Sequence, residues 1–227
     1  MFKFAAIIEA RMTSKRLPGK ILYKVGGKSF LWYLVKRLKK VKEIDKIILA
    51  TTVNKSDDIL VQFAKKNNIS YFRGDNKNVL KRFYDTAKKY NPKLIVRVCA
   101  DNPFVDPHMI DKLINKFNHK KFDYGFNHQS KLKNLCADGF GAEIFSFSLL
   151  KKLNITVKNF FLREHVTLYI WKNIKEFKIQ PVYPSKGCLY PKLRFDINTK
   201  NDFKKLRNFI SNNKIKLNYS AEKIIKL

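Results

Sequence analysis

Three short apolar runs constrain what this chain folds into more than any other feature: Phe4–Ile8, Lys46–Thr51 and Leu94–Val98. Each has strand length and reads as a buried strand. Residues at helical spacing lie between them. Phe30, Leu31, Tyr33, Leu34 and Leu38 follow the first run, and a segment opened by Ser56-Asp57-Asp58, whose acids suit a helix N-terminus, follows the second. A short strand at 70–72 leads through Arg73-Gly74-Asp75 to an amphipathic helix marked by Val79, Leu80, Phe83, Tyr84 and Ala87, and Pro92 precedes the third run. Strands alternating with helices imply right-handed βαβ units, hence an α/β fold with a mainly parallel sheet flanked by helices. Ligands of such sheets sit beyond the carboxyl ends of the strands, where the loops starting at Ala10 and Cys99 lie.

The first of these loops is chemically distinctive. Arg11, Lys15, Arg16 and Lys20 face a single acid, Glu9, while Ser14 adds a hydroxyl and Gly19 an approachable backbone. Pro18 holds Leu17 extended, so the stretch is a loop rather than a helix start. Guanidinium forks, ammonium groups and backbone N–H donors together suit a polyphosphate. On spacing alone, a solvated basic loop fits as well.

At 227 residues the chain suffices for one α/β domain, 1–227, with a substantial core. Its 48 Lys and Arg against 18 Asp and Glu give a formal charge of +30, which raises nucleic-acid binding as a reading. The distribution argues against it, because the lysines run along the whole chain and only nine of the cations are Arg. Such a reading needs one continuous cationic face with aromatics for stacking, whereas an enzyme needs cations converging on a cleft. Cys99, Cys136 and Cys188 lie far apart with no C-x-x-C pair, which indicates neither a zinc site nor a disulfide framework and fits a reducing cytoplasm. Met1-Phe2-Lys3 runs into the first strand without a leader, and no apolar run approaches the roughly 20 residues of a membrane span.

Two nucleotide motifs are excluded. Gly26-Gly27-Lys28-Ser29 lacks the earlier glycine of a P-loop, since Leu22 stands there, and Gly139-Phe140-Gly141 lacks the third glycine of a dinucleotide fingerprint, since Ile144 stands there. The segment after the third strand, CADNPFVDP, puts Asp101 at the strand's carboxyl end with Pro103 and Pro107 shaping the loop behind it. A hard cation takes one or two carboxylates plus phosphate oxygens, and Asp101 fits that role. A turn residue or helix cap fits the same position. Asp106 reads as the cap of a helix beginning near His108.

The run IIEARMTSKRLPGKIL resembles the opening of the sugar nucleotidyltransferases that activate sugars with CTP, above all the cytidylyltransferases of the spore-coat polysaccharide biosynthesis type. Synthetases of CMP-3-deoxy-manno-octulosonate and CMP-sialic acid are more distant relatives. The resemblance extends in five blocks from Ala5 to about Phe203. It implies a nucleotide-diphospho-sugar transferase (Rossmann-like) fold, transfer of CMP from CTP to a sugar or acidic sugar with release of pyrophosphate, Mg²⁺ as cofactor and a homodimer. A glycosyltransferase of the same architecture is the nearer alternative, and the intact RLPGK loop speaks against it.

By this resemblance Arg11, Ser14, Arg16 and Lys20 cradle the triphosphate, with Arg11, Arg16, Lys20 and Asp101 the catalytic set. Arg73 and Arg82 line the nucleotide side, and backbone carbonyls around Ala10 and residues 97–100 accept the cytosine amine. Asp101, Asp196 and Asn198 hold the metal, although Asn198 stands where the family has an aspartate. The Asp196 and Asn198 side chains fall on one side of an extended strand, since side chains alternate. Glu143, Arg163 and His165 match segments near the acceptor or dimer interface, although Arg163-Glu164-His165 taken alone reads as an ordinary polar helix start. A small protruding element over 120–186 is expected to choose the acceptor or to dimerise.

Overall fold

The apolar runs become strands because their side chains have two helical layers to pack against. The computed structural model describes residues 3–128 and 134–227. Strand β1 (Phe4–Glu9) ends in the 10–20 loop. A tight hairpin follows, β2 (Lys24–Val25) and β3 (Lys28–Ser29), whose turn residues Gly26 and Gly27 both have positive φ, +57° and +75°. A two-residue turn with that backbone favours glycine twice, which explains the pair that mimics part of a P-loop. Ser29 then caps α1 (Phe30–Leu38) through Trp32 N at 3.1 Å.

Strand β4 (Lys46–Thr52), helix α2 (Asp58–Lys66), β5 (Ser70–Gly74), α3 (Val79–Tyr90), β6 (Leu94–Cys99) and α4 (Pro107–Lys116) continue the alternation. Asp106 caps α4, accepting from His108 N at 2.8 Å. Beyond it come β7 (Tyr124–Phe126), β8 (Glu143–Ser146), α5 (Phe147–Thr156), α6 (Phe160–Arg163), α7 (Leu168–Lys172) and β9 (Ile179–Pro181). Helices α8 (Lys200–Asn213) and α9 (Ala221–Ile225) close the chain.

The main sheet has the order β5-β4-β1-β6-β8-β7-β9. Pairings are parallel except where β8 meets β6 and β7, so β8 alone runs against the rest. The strands of segment 120–186, expected to protrude, are therefore the far half of this sheet. Segment 193–199 is not a strand either. It meets its neighbour through one isolated parallel bridge, Asp138 with Arg194.

Side-chain alternation sorts the core. Phe4, Ile8, Leu49 and Val96 pack with α1, α2 and α4 on one face, and Ala5, Ile7, Ile48 and Ile95 pack with α3, α5 and α7 on the other. A third cluster lies off the sheet and joins Leu17, Phe104, Phe140, Phe195, Ile197, Leu206 and Ile224. Each of the first five adjoins a loop that carries a polar site residue. Phe195 is the centre, with ring centroids 4.8 Å from Phe140, 5.7 Å from Phe209 and 6.1 Å from Phe104. The three cysteines are free thiols, and among the described residues no helix is long and apolar enough to cross a membrane.

Candidate active site

The 10–20 loop is tied at both ends and in the middle. Ala10 N donates to Ala50 O at 3.2 Å, and Gly19 N donates to Met12 O at 2.9 Å from a left-handed backbone with φ +70°. Leu17 is sunk into the third core cluster. Met12 N donates to Asp57 Oδ1 at 2.8 Å. The other oxygen of Asp57 takes Thr51 Oγ1 at 3.0 Å, Thr52 N at 3.1 Å and Thr52 Oγ1 at 2.6 Å. Asp57, fully buried, does not cap its own helix; it carries the loop. These anchors leave Lys15 and Arg16 exposed, Arg11 and Ser14 half-buried, and Lys20 buried.

Substitution of Asp57 by alanine leaves several buried donors without an acceptor, at roughly 1–3 kcal/mol for each. The expected outcome is a loss of about 3 kcal/mol in urea unfolding, together with faster hydrogen exchange at the Met12 and Gly19 amides. Unchanged exchange at both amides would show that the loop is held by something else.

Lys20 crosses from the loop to the two carboxylate segments. Its Nζ donates to Asp101 Oδ2 at 2.7 Å and to Ile197 O at 2.5 Å, and Ile197 N donates to the Asp101 carbonyl at 3.1 Å. The segments that carry Asp101 and Asp196 thus meet although the two residues are 95 positions apart. Asp196 accepts from Arg194 Nε at 3.0 Å and Nη2 at 2.7 Å, and Asn198 Nδ2 donates to the same carboxylate. Asn198 therefore turns its amide nitrogen, not its oxygen, towards Asp196. A capping box at α8 fixes this turn: Asn198 N and Thr199 N both donate to Asp202 Oδ2, at 3.0 and 2.8 Å, and Thr199 Oγ1 receives Asp202 N.

The donor set fits a hard cation of the Mg²⁺ kind that draws the rest of its ligands from a nucleotide. Asp101 and Asp196 sit on two segments joined by a backbone bond, with the Asn198 amide beside Asp196, and among the described residues no group of three His, Cys, Asp or Glu forms a self-sufficient cage.

At the carboxyl ends of β1 and β6 runs a buried charge network. Arg97 of β6 donates to Glu9 Oε2 at 3.3 Å and Oε1 at 2.9 Å, and on its other side to Glu143 Oε1 at 3.0 Å. Trp171 Nε1 donates to the Tyr124 hydroxyl at 3.0 Å, and burial together with the nearby Glu143 charge pushes that phenol well up. Burial works to raise the Glu9 carboxyl, but the Arg97 guanidinium outweighs it and holds Glu9 below the usual carboxylate value. Burial pushes the neighbouring Cys99 thiol well up, so it stays protonated.

The remaining expected residues divide by what their side chains hold. Arg82 is buried and donates to Asp75 O at 2.6 Å. Burial lowers its pKa, against which the charges of Glu9, Asp57 and Asp75 act, while that of Arg11 adds to the lowering. His165 is exposed and within electrostatic range of Glu9. Arg73 instead ties the end of β5 to the loop after β4, through Thr52 O at 2.9 Å, Asn54 O at 2.8 Å and Asp58 at 2.6 Å. Arg163 holds Asn78 Oδ1 at 3.1 Å, Asn154 Oδ1 at 2.6 Å, Asn154 O at 2.9 Å and Val157 O at 2.6 Å. Glu143 is fully buried under Arg97. Arg73, Arg163 and Glu143 thus all have partners within the fold.

Sequence reasoning gave Asp57 only a helix start and left Arg97 and Arg194 without a role of their own. Arg97 carries a visible signal, a cation inside an apolar strand run, and Arg194 stands two residues before Asp196, at the spacing that brings side chains to one side. Asp57 carries none, because an acid at a helix start is ordinary.

A mainly parallel sheet, with a basic loop after its first strand and carboxylates at the end of its central strand and on a late segment, defines an α/β nucleotidyltransferase. The cytidylyltransferase family model matches residues 5–225, and the chain belongs to that family. It is similar to the uncharacterised protein MJ1063 of Methanocaldococcus jannaschii, 39% identical over 202 residues that cover 89% of this chain and 81% of that one. The spore coat polysaccharide biosynthesis protein SpsF of Bacillus subtilis is 32% identical over 206 residues, covering 88% and 83%. A solved cytidylyltransferase structure from Leptospira borgpetersenii superposes with a TM-score of 0.92 at 32% identity, covering all of this chain and 93% of the other.

Proposed function

We propose that this cytidylyltransferase transfers CMP from CTP to a sugar or acidic sugar used in surface polysaccharide biosynthesis. The observation that carries this reading is the bridge that Lys20 makes from the 10–20 loop to Asp101 and to the backbone of Ile197, the residue after Asp196. A sugar oxygen attacks the α-phosphorus, the bond from that phosphorus to the bridging oxygen breaks, and pyrophosphate leaves while the attacking oxygen gives up its proton. Arg11, Arg16 and Lys20 hold the β- and γ-phosphates, Ser14 adds a hydroxyl, and backbone carbonyls around Ala10 and residues 97–100 face the cytosine amine. Asp101 and Asp196 would hold Mg²⁺, which neutralises phosphate charge and makes the α-phosphorus more electrophilic. Asn198 orients Asp196. Arg82 and His165 border the cleft, while Arg73, Arg163 and Glu143 act by positioning. The buried cations Lys20, Arg82 and Arg97 near one end of the sheet support an enzyme cleft over a nucleic-acid face. A homodimer through the 120–186 segment and a cytoplasmic location belong to the same proposal.

The test is pyrophosphate release with CTP, UTP, ATP or GTP, Mg²⁺ and a panel of sugars and acidic sugars. CTP is expected to be preferred, since buried acceptors facing a uracil carbonyl cost about 1–3 kcal/mol. Arg16→Ala, an exposed loop change, is expected to weaken CTP binding about tenfold with folding intact. Equal turnover of UTP, or unchanged CTP affinity in the variant, would sink the reading.

A further inference from the structure

Asp196 does not face the cleft bare. Arg194 lays both edges of its guanidinium fork along the carboxylate, Nε on Oδ1 at 3.0 Å and Nη2 on Oδ2 at 2.7 Å. Nη2 also lies 3.6 Å from Asp138 Oδ2. The two partners differ sharply in freedom: the Arg194 side chain is 61% exposed and that of Asp196 only 9%. Asp196 is further fixed by Asn198 and by Phe195 and Ile197, both set in the aromatic cluster. The carboxylate is thus anchored, and the guanidinium lies over it at the end of an exposed arm. A bidentate guanidinium and a hard cation need the same oxygen lone pairs, so both cannot hold Asp196 fully at once.

We propose that Arg194 is the resident counter-ion of this metal site, displaced from Asp196 when a divalent cation enters with the triphosphate. This rests on the assignment of Asp196 to the metal. The exchange weakens binding of the bare cation, because the ion must break a charged fork before it gains a ligand. In the presence of nucleotide the phosphate oxygens add ligands and negative charge, and the balance turns. Lys20 does the same for Asp101, so each metal carboxylate keeps an internal cation until the nucleotide arrives. Cation and CTP binding are thereby coupled, and by linkage each strengthens the other equally.

The experiment is a titration of the full chain with Mn²⁺ as probe, with and without CTP, followed by electron paramagnetic resonance and calorimetry. Arg194→Ala is expected to tighten Mn²⁺ binding without CTP by about tenfold, the loss expected of one charge-assisted fork, and to shrink the coupling with CTP. Arg194→Lys, which keeps the charge but not the fork, should fall between. The double variant Arg194→Ala/Asp196→Ala should lose the gain. Lys205→Ala, an exposed charge on α8, should leave Mn²⁺ binding as in the parent, which separates a local effect from net charge. Mn²⁺ binding that depends on Asp196 but is equal or weaker in Arg194→Ala overturns the counter-ion role alone. Mn²⁺ binding with CTP that is indifferent to Asp196→Ala overturns the metal assignment and this inference with it.

Discussion

Arg97→Met is expected to be the most destabilising single change in this protein. The guanidinium is 5% exposed and lies between Glu9, 20% exposed, and Glu143, fully buried. Removing it leaves two carboxylates close together in the interior with no cation between them, and breaking a buried pair in this way costs about 3–5 kcal/mol. For a chain of this size each kcal/mol is roughly 2–4 °C in Tm, so a fall of about 6–20 °C is expected in thermal unfolding. Charge, rather than lost volume, is the proposed cause. Adding Glu9→Gln and Glu143→Gln to the Arg97→Met background should therefore recover part of the loss, since the neutral amides no longer repel. A midpoint equal to the parent's in the single variant, or a further fall in the triple one, would contradict a charged network.

Asp101→Ala should lower pyrophosphate release by at least about a hundredfold, the scale reached even by residues that only hydrogen-bond to a metal's ligands. In the absence of a divalent cation the same change should leave CTP binding intact or tighten it, because Lys20 loses its partner and turns its whole charge to the phosphates. This split between turnover and affinity distinguishes a ligand acting on the reaction from a residue that only supports the loop, whose loss would weaken both. Asp196→Ala is expected to behave alike in turnover, with Arg194 released in place of Lys20. Calorimetry with CTP alongside the pyrophosphate assay reads both effects. Full activity in either variant would remove that carboxylate from the chemistry.

Much of this molecule follows from local sequence. Strand runs flanked by helical spacing are enough for the parallel half of the sheet, because burying a continuous apolar run on both faces leaves few alternatives to an α/β layer structure. The basic loop, Asp101 and the Asp106 cap are equally legible, since loop chemistry and capping depend on neighbours a few residues away. The far half of the sheet was not, because β7, β8 and β9 are three or four residues long and gain their stability from pairing rather than from pattern. Only the tertiary structure decided which polar groups meet. Asp57 reaches Met12 across 45 positions, Lys20 reaches Ile197 across 177, and Arg97 reaches Glu9 across 88. A charged side chain takes whichever partner the packed layers bring within about 3 Å, and no spacing in the sequence encodes that distance. For the same reason the partners of Arg73, Arg163 and Glu143 within the fold, and the fork of Arg194 on Asp196, appear only in the tertiary structure.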